Sequence, residues 1–524
     1  MKSFKRKLSL CLAVLMMITS FVGCSNDTSD VSGGEDSEST TSKPAISEPA
    51  GSKRDNLIIA TQNEPPSLGT NDHDSLASVF MNLMVYNGLT KITSDTLEAI
   101  PDLAESVENE DENNWIFNLR KGVKFHNGSE LTAEDVVASI EWAQTFPASA
   151  NYTKKMIKVE AVDDYTVRIT TDGPYAGLMY DLGYHFNFIV PKELIESNHD
   201  FNSNPIGTGP YKFVSWSRGD SLKFTKNEEY FNEAEKAKIT DVEWRFIPEG
   251  TSRTIALEAN EVDFVYEVEP NDIERLKSNP DVEVAEITSV VNWFLMLNKD
   301  VEPFNDINFR KAINCAIDRD SIVAAAVNNY GIANISSVPM EFVGATEKGA
   351  EGYDVEKAKA YLKAWGGDPS TVTLPIICSN ETKVKVATVI QSNLDEIGIK
   401  VEIVSMDLGT YLDKTSSGDY VSAIVSWSPS NLLTYVQRFH SRRRESNPGA
   451  LNSPEMDKLV EKAETTIDEA ERMKLIEDII VLSNDLCHQP SLYQDVIFRA
   501  YNADLGGVVP SATGYIYFNT VFWE

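Results

Sequence analysis

Residues 115–137, WIFNLRKGVKFHNGSELTAEDVV, constrain the fold more than any other stretch of the chain. Trp115, Phe117 and Leu119 interleave with polar Asn114, Asn118 and Arg120, the period-2 pattern of a strand with one buried face. Gly122 breaks the run. Val123 and Phe125 resume the alternation as far as His126-Asn127-Gly128, where Asn-Gly supplies the positive φ of a tight turn. Thr132 then stands as the N-cap of a helix, with Glu134 and Asp135 against its positive end and Val136, Ile140 and Ala143 on its inward face. Local physics therefore specifies a strand, a turn and a capped helix in succession.

Similar signals recur on both sides. Residues 57–61 read as a first strand and 75–86 as a helix ending at Asn87-Gly88. Two short strands flank the Asp163-Asp164 turn, and residues 211–216 and 221–226 alternate as strands after the Gly/Pro-dense 205–211. Trp293 to Asn298 is an apolar strand. Asp354 caps a helix with Val355, Ala358, Leu362 and Trp365 on one face, stopped by Gly366-Gly367. Strand 372–378, helix 383–397 and strand 399–404 make a βαβ unit, which requires parallel strands and a right-handed crossover. A strand over 420–427 precedes Pro429, and Ser453-Pro454 and Asp468 start two further helices.

A chain of 524 residues exceeds one ordinary core, so two or more lobes are expected. Its formal charge of -33 repels nucleic acid and anionic membrane surfaces, and suits solubility outside the cell. Residues 1–24 carry Lys2, Lys5, Arg6 and Lys7, then an apolar run to Val22 too short to span a membrane comfortably, the pattern of a secretory signal. Gly23-Cys24 resembles the bacterial lipobox, which implies that Cys24 is the lipidated N-terminus. The Ser/Thr/Gly-rich stretch to about Arg54 has too few apolar residues to fold and reads as a disordered tether with a reach of roughly 30 Å. Cys315, Cys378 and Cys487 fit no zinc spacing and read as buried thiols; His488 beside Cys487 has no further ligands at hand. No metal site, cofactor or catalytic motif is expected.

The order Phe117, Leu119, Arg120, Gly122, Val123, Phe125, Asn127, Gly128, Leu131, Thr132, Ala133, Asp135, Val136 closely resembles the signature of the family 5 extracellular solute-binding proteins, the peptide and nickel receptors of ABC importers. Residues 205–211, PIGTGPY, resemble that family's return element, and Asn227 and Tyr230 its N-x-x-Y. Residues 258–264 resemble its G-x-x-D step, with Asn260 or Glu261 in place of Gly. Phe304, Arg310, Ala312, Ile313, Ala316, Ile317, Asp318 and Arg319 resemble a family helix over 304–319, and Arg499-Ala500-Tyr501-Asn502 its closing strand.

The resemblance implies an α/β, two-lobed periplasmic-binding-protein-like (type II) fold with an extra inserted subdomain, mixed sheets and an interlobe cleft. The implied division is a signal peptide (1–23), a tether (24–54), lobe I in three pieces (55–88, 204–298, 501–524), an inserted subdomain (89–203) and lobe II (299–500). It further implies capture of a small-molecule or peptide solute, delivery to an ABC permease and ATPase complex, a monomer, and attachment to the outer face of the membrane through a lipid anchor. The family's pocket strand usually ends W-x-x-D, the Asp accepting a peptide's α-ammonium. Here it reads Trp427, Ser428, Pro429, Ser430, so the acid is absent. A hydroxyl cannot neutralise an ammonium, and losing a charge-assisted bond costs about 1.5–3 kcal/mol. A ligand that lacks that ammonium, or is anchored elsewhere, is expected: a blocked peptide, an oligosaccharide or a metal chelate. Trp427, Ser430, Asn431 and Trp293, with Asn63, Glu64 and Pro65 after the first strand, are the expected ligand contacts. Arg442-Arg443-Arg444 could draw in an anion. A ligand sensor or an adhesive surface lipoprotein is the alternative.

Overall fold

The computed structural model describes residues 54–71, 75–428, 431–442 and 452–524. The signal segment, Cys24, nearly all of the tether, Ser430, Arg443 and Arg444 lie outside the described residues.

β1 (Asn56–Thr61) and α1 (Leu76–Val85) come first. A short hairpin, β2 (Thr90–Ile92) and β3 (Ala99–Pro101), follows. β4 (Ala104–Asn109) then pairs with β5 (Asn114–Leu119), which buries Trp115, Phe117 and Leu119 on one face as the alternation predicts. Gly128 takes a left-handed φ of 91° at the turn. α2 (Ala133–Ala143) opens on a capping box: the Asp135 carboxylate accepts from the Thr132 N–H at 2.8 Å and from its hydroxyl at 2.9 Å. With β6 (Met156–Asp163) and β7 (Thr166–Thr171) these strands form an antiparallel sheet, β4-β5-β7-β6, over its own core of Phe117, Val136, Ile140 and Ile169.

β8 (Tyr211–Ser217), β9 (Ser221–Lys226), β10 (Asp241–Phe246), α3 (Gly250–Glu258) and β11 (Phe264–Val265) build lobe I. Asn260, rather than Glu261, takes the left-handed place after α3, with φ 55°. β12 (Val282–Leu297) leads into lobe II, which holds α4 (Ile307–Ala316), α5 (Arg319–Val327), β13 (Gly331–Ala333), α6 (Val355–Trp365), β14 (Thr373–Cys378), α7 (Glu381–Asp395), β15 (Lys400–Ser405) and β16 (Ser422–Trp427). α8 (Leu432–Gln437), α9 (Pro454–Thr465) and α10 (Glu469–Asp485) complete it, and β17 (Ser491–Asn502) runs back.

Both lobes share one mixed sheet in the order β15-β14-β16-β12-β17-β11-β1-β10-β9-β8, with β13 on β17. β14 and β15 are parallel across α7, as the βαβ reading requires. Lobe I packs around Leu57, Trp244 and Phe264, and lobe II around Leu295, Ile313 and Ile424. Cys315, Cys378 and Cys487 are buried free thiols, and burial pushes Cys487 up to about 11. Among the described residues no helix is long and apolar enough to cross a membrane.

Three expectations are corrected. The helix over 304–319 is two helices: Ile317 is extended, and the Asp318 side chain caps α5 by accepting from Ser321 N–H at 3.2 Å. The strand at Trp293 begins at Val282, and the closing strand begins at Ser491. β12 and β17 therefore pair across both lobes. The passage between lobes lies inside these strands, not at 298–299 and 500–501, since Leu295 and Leu297 already belong to the lobe II core.

Candidate functional site

Strand direction locates the site. β1 and β11 are parallel (Ala60 opposite Val265), and β11 runs antiparallel to β17 (Val265 opposite Ala500), so both carboxyl ends point at the middle of β17. From the other lobe β16 runs antiparallel to β12 and ends with Trp427 opposite Asn292, at the middle of β12. In open α/β sheets the space beyond strand carboxyl ends is where ligands bind. Here the ends from two lobes converge on one crossing.

The crossing is irregular and polar. β12–β17 pairing slips between Thr288 and Asn292, which frees the intervening backbone: Val290 N–H donates to Ala512 O at 3.0 Å, and Gln494 Nε2 donates to Ser289 O at 2.9 Å. Gln494 Oε1 accepts from Met340 N–H at 2.9 Å. Asn292, fully buried, donates to Ser491 Oγ at 3.0 Å and Tyr435 Oη at 3.2 Å, and accepts from Asn334 Nδ2 at 3.0 Å.

Each lobe contributes an aromatic wall holding an arginine. In lobe I, Tyr266 packs on Phe80 with ring centroids 4.3 Å apart, and the Arg499 guanidinium lies 4.2 Å from the Tyr266 ring. Arg499 and the Tyr266 hydroxyl both donate to Gly514 O, at 3.0 and 2.6 Å. Gly514 has φ 84°, and a Cβ there would sit 3.1 Å from the Arg499 guanidinium, so a side chain would be strained in its backbone and would press on the arginine. In lobe II, Trp427 packs on Tyr435 at 5.0 Å. The Arg438 guanidinium lies 4.6 Å from the rings of both Trp427 and Phe294. Burial lowers its pKa, and Tyr435 and Tyr420 oppose the shift.

The expected contacts fall into separate places. Trp427, half-buried, and Asn431 lie at the carboxyl end of β16, but the Asn431 Oδ1 is engaged as the N-cap of α8, accepting from Thr434 N–H at 2.8 Å. Trp293 does not share their pocket. One residue on from Asn292, it points to the opposite face, is 8% exposed and stacks on Tyr493 at 5.3 Å in the lobe II core. Asp495 adjoins it, with its carboxyl pushed up to about 6 by burial and drawn down by the Trp293 indole. Glu64 is engaged by the β8–β9 turn, accepting from Trp216 Nε1 at 2.8 Å and Gly219 N–H at 3.1 Å, while Asn63 is exposed and Pro65 buried. Arg442 is paired with Glu464 and lies 3.9 Å from Glu461 on α9. Tyr266, Arg499, Tyr435 and Arg438 were missed, because tertiary packing alone assembles them. Asn292 carried an available signal, a polar residue inside an apolar run.

Two lobes sharing a twice-crossed sheet, with strand ends and aromatic walls facing the crossing, define a binding protein of the solute-capturing class rather than a single-lobed module. The family described as bacterial extracellular solute-binding proteins, family 5 Middle, matches residues 98–442, and the chain belongs to that family. The dipeptide-binding protein of Escherichia coli (strain K12) is 25% identical over 510 residues, covering 89% of this chain and 94% of that protein. Heme-binding protein A of Haemophilus influenzae is 27% identical over 470 residues, covering 82% of this chain and 85% of that protein. The structure of HbpA2 from Haemophilus parasuis superposes with a TM-score of 0.82 at 23% identity, covering 90% of this chain and 100% of that one, and shares the fold.

Proposed function

We propose that this chain is the substrate-binding lipoprotein of an ABC importer, which captures an extracellular solute over the β12–β17 crossing and delivers it to a membrane permease. It acts as a non-enzymatic monomer, held to the outer face of the membrane by a lipid on Cys24 through the Ser-rich tether. The convergence of strand carboxyl ends from both lobes on one crossing carries this reading. Closure of the lobes excludes water and lets both walls touch the solute; a ligand that prefers the closed form draws the population toward it. Conversion of Cys24→Ala should move the protein from the membrane fraction to the medium or periplasm. Retention in the membrane would refute the anchor.

The solute lacks a free α-ammonium. Residues 427–430 carry no acid, and the charge that packing brings to Trp427 is the Arg438 cation, which repels an ammonium. Trp427, Ser430 and Asn431 form the lobe II contacts and the loop at Asn63 and Pro65 the lobe I rim, while Trp293 and Glu64 support these from behind. The relatives are named for a dipeptide and for heme, so membership of the family leaves the ligand open among blocked peptides, oligosaccharides and chelates. Calorimetry with one peptide, free and N-acetylated, decides the point. Equal or tighter binding of the acetylated form is expected, and a tenfold preference for the free amine would overturn it.

A further inference from the structure

A cavity of about 250 Å³ lies apart from the crossing, between the end of α1, the β2–β3 hairpin and the residues at 517–520. Neither arginine wall contributes to it. Leu83, Ile92 and Phe188 give it apolar sides, and Ile100 and Val509, 37% and 47% exposed, mark its mouth. It has room for about eight waters at roughly 30 Å³ each, and falls short of the ~300 Å³ at which drug-sized ligands begin.

One lining group is incompletely satisfied. Asp102 is 3% exposed, and among the described residues its carboxylate accepts a single hydrogen bond, from Asn87 Nδ2 to Oδ2 at 2.8 Å. No donor among the described residues bonds to Oδ1, although a carboxylate on so buried a residue ordinarily takes several hydrogen bonds. Two cations lie near, and neither bonds to the carboxylate: Lys91 Nζ lies 2.5 and 2.6 Å from the two oxygens of Glu235, and Arg120 Nε donates to the Asp102 backbone carbonyl at 2.7 Å. Both draw the Asp102 carboxyl down through space, against the larger effect of burial. Tyr517 and Asn519 donate to backbone oxygens of Ile92 and Glu235, at 2.8 and 2.7 Å, so neither supplies the missing donor.

We propose that this cavity is a second binding site, for a small primary amine whose ammonium donates to Asp102 Oδ1 and whose short hydrocarbon body lies against Leu83, Ile92 and Phe188. An anion would meet the carboxylate, and a purely apolar guest would leave it uncompensated. The overall charge of -33 raises the local concentration of such cations.

The test is a ligand-detected NMR titration of the full chain with n-butylamine and with the neutral isostere n-butanol. The amine should bind roughly tenfold to a hundredfold more tightly, the ratio that one charge-assisted hydrogen bond provides. Asp102→Asn should bring it to the level of the alcohol. Val509→Trp, at an exposed position, should block entry without touching Asp102, and this variant decides the matter should Asp102→Asn fail to fold. Trp427→Ala should leave amine binding unchanged, which separates this site from the interlobe cleft. Equal binding of amine and alcohol, full binding by Val509→Trp, or loss in Trp427→Ala would each overturn the proposal.

Discussion

Among the described residues the lobes meet both at the crossing and away from it, and the two contacts are built differently. At the crossing, continuous strands carry a buried polar network around Asn292, fully satisfied by Tyr435, Ser491 and Asn334. Away from it, the β2–β3 hairpin and the segment after β7 touch lobe II through a bridge that is mostly apolar. Leu97, at the tip of the β2–β3 hairpin, is 3% exposed among Phe342, Leu432 and Leu433, and Ala176 N–H donates to Glu464 O at 3.0 Å. Leu97 sits at φ 58°, a costly conformation for a side chain with a Cβ, and a gap of about 60 Å³ remains beside it. A joint present in every state can hold polar groups that must never lose their partners. The bridge carries no such network, so parting it would strand few polar groups.

The largest effect should come from the crossing. Asn292→Ala leaves three buried partners without their shared amide, and should cost about 3 kcal/mol in urea unfolding. A loss under about 1 kcal/mol would mean that strand pairing alone holds the joint. At the bridge, Leu97→Ala should remove about 2 kcal/mol from the closed arrangement only, or roughly thirtyfold in its population. Solution scattering of the solute-free protein should then show a larger radius of gyration; an unchanged profile would detach the bridge from closure.

The finest test concerns sign. Burial holds the Asp495 carboxyl at about 6 against an ordinary 3.8, so the folded chain binds this proton more tightly than the unfolded chain. Both states are protonated below about pH 4. Between about 4 and 6 the unfolded chain alone ionises, so this group's contribution falls as pH rises, and above about 6 the loss is complete. Asp495→Asn should flatten that part of the stability profile, whereas Leu97→Ala should shift the profile without changing its shape.

Local chemistry was legible wherever a residue acts on its own neighbours. Thr132 and Asp135 close α2, Asp354 and Gly366 bound α6, and β14, α7 and β15 form the expected parallel unit. The crossing was not legible. The run from Trp293 to Leu297 is apolar at every position because both faces of β12 are covered there, so alternation no longer reports which side chain faces which way. Trp293 and Trp427 were therefore expected in one pocket and lie on opposite faces.

By itself the sequence determined the kinds and order of elements and the family they spell, since caps, turns and period-2 faces depend on residues a few positions apart. Tertiary structure alone decided where the lobes join, which arginines stand on aromatic walls, and that Asp102 is buried at the wall of a cavity. Those facts rest on contacts between residues separated by tens to hundreds of positions, and no local periodicity encodes such distances.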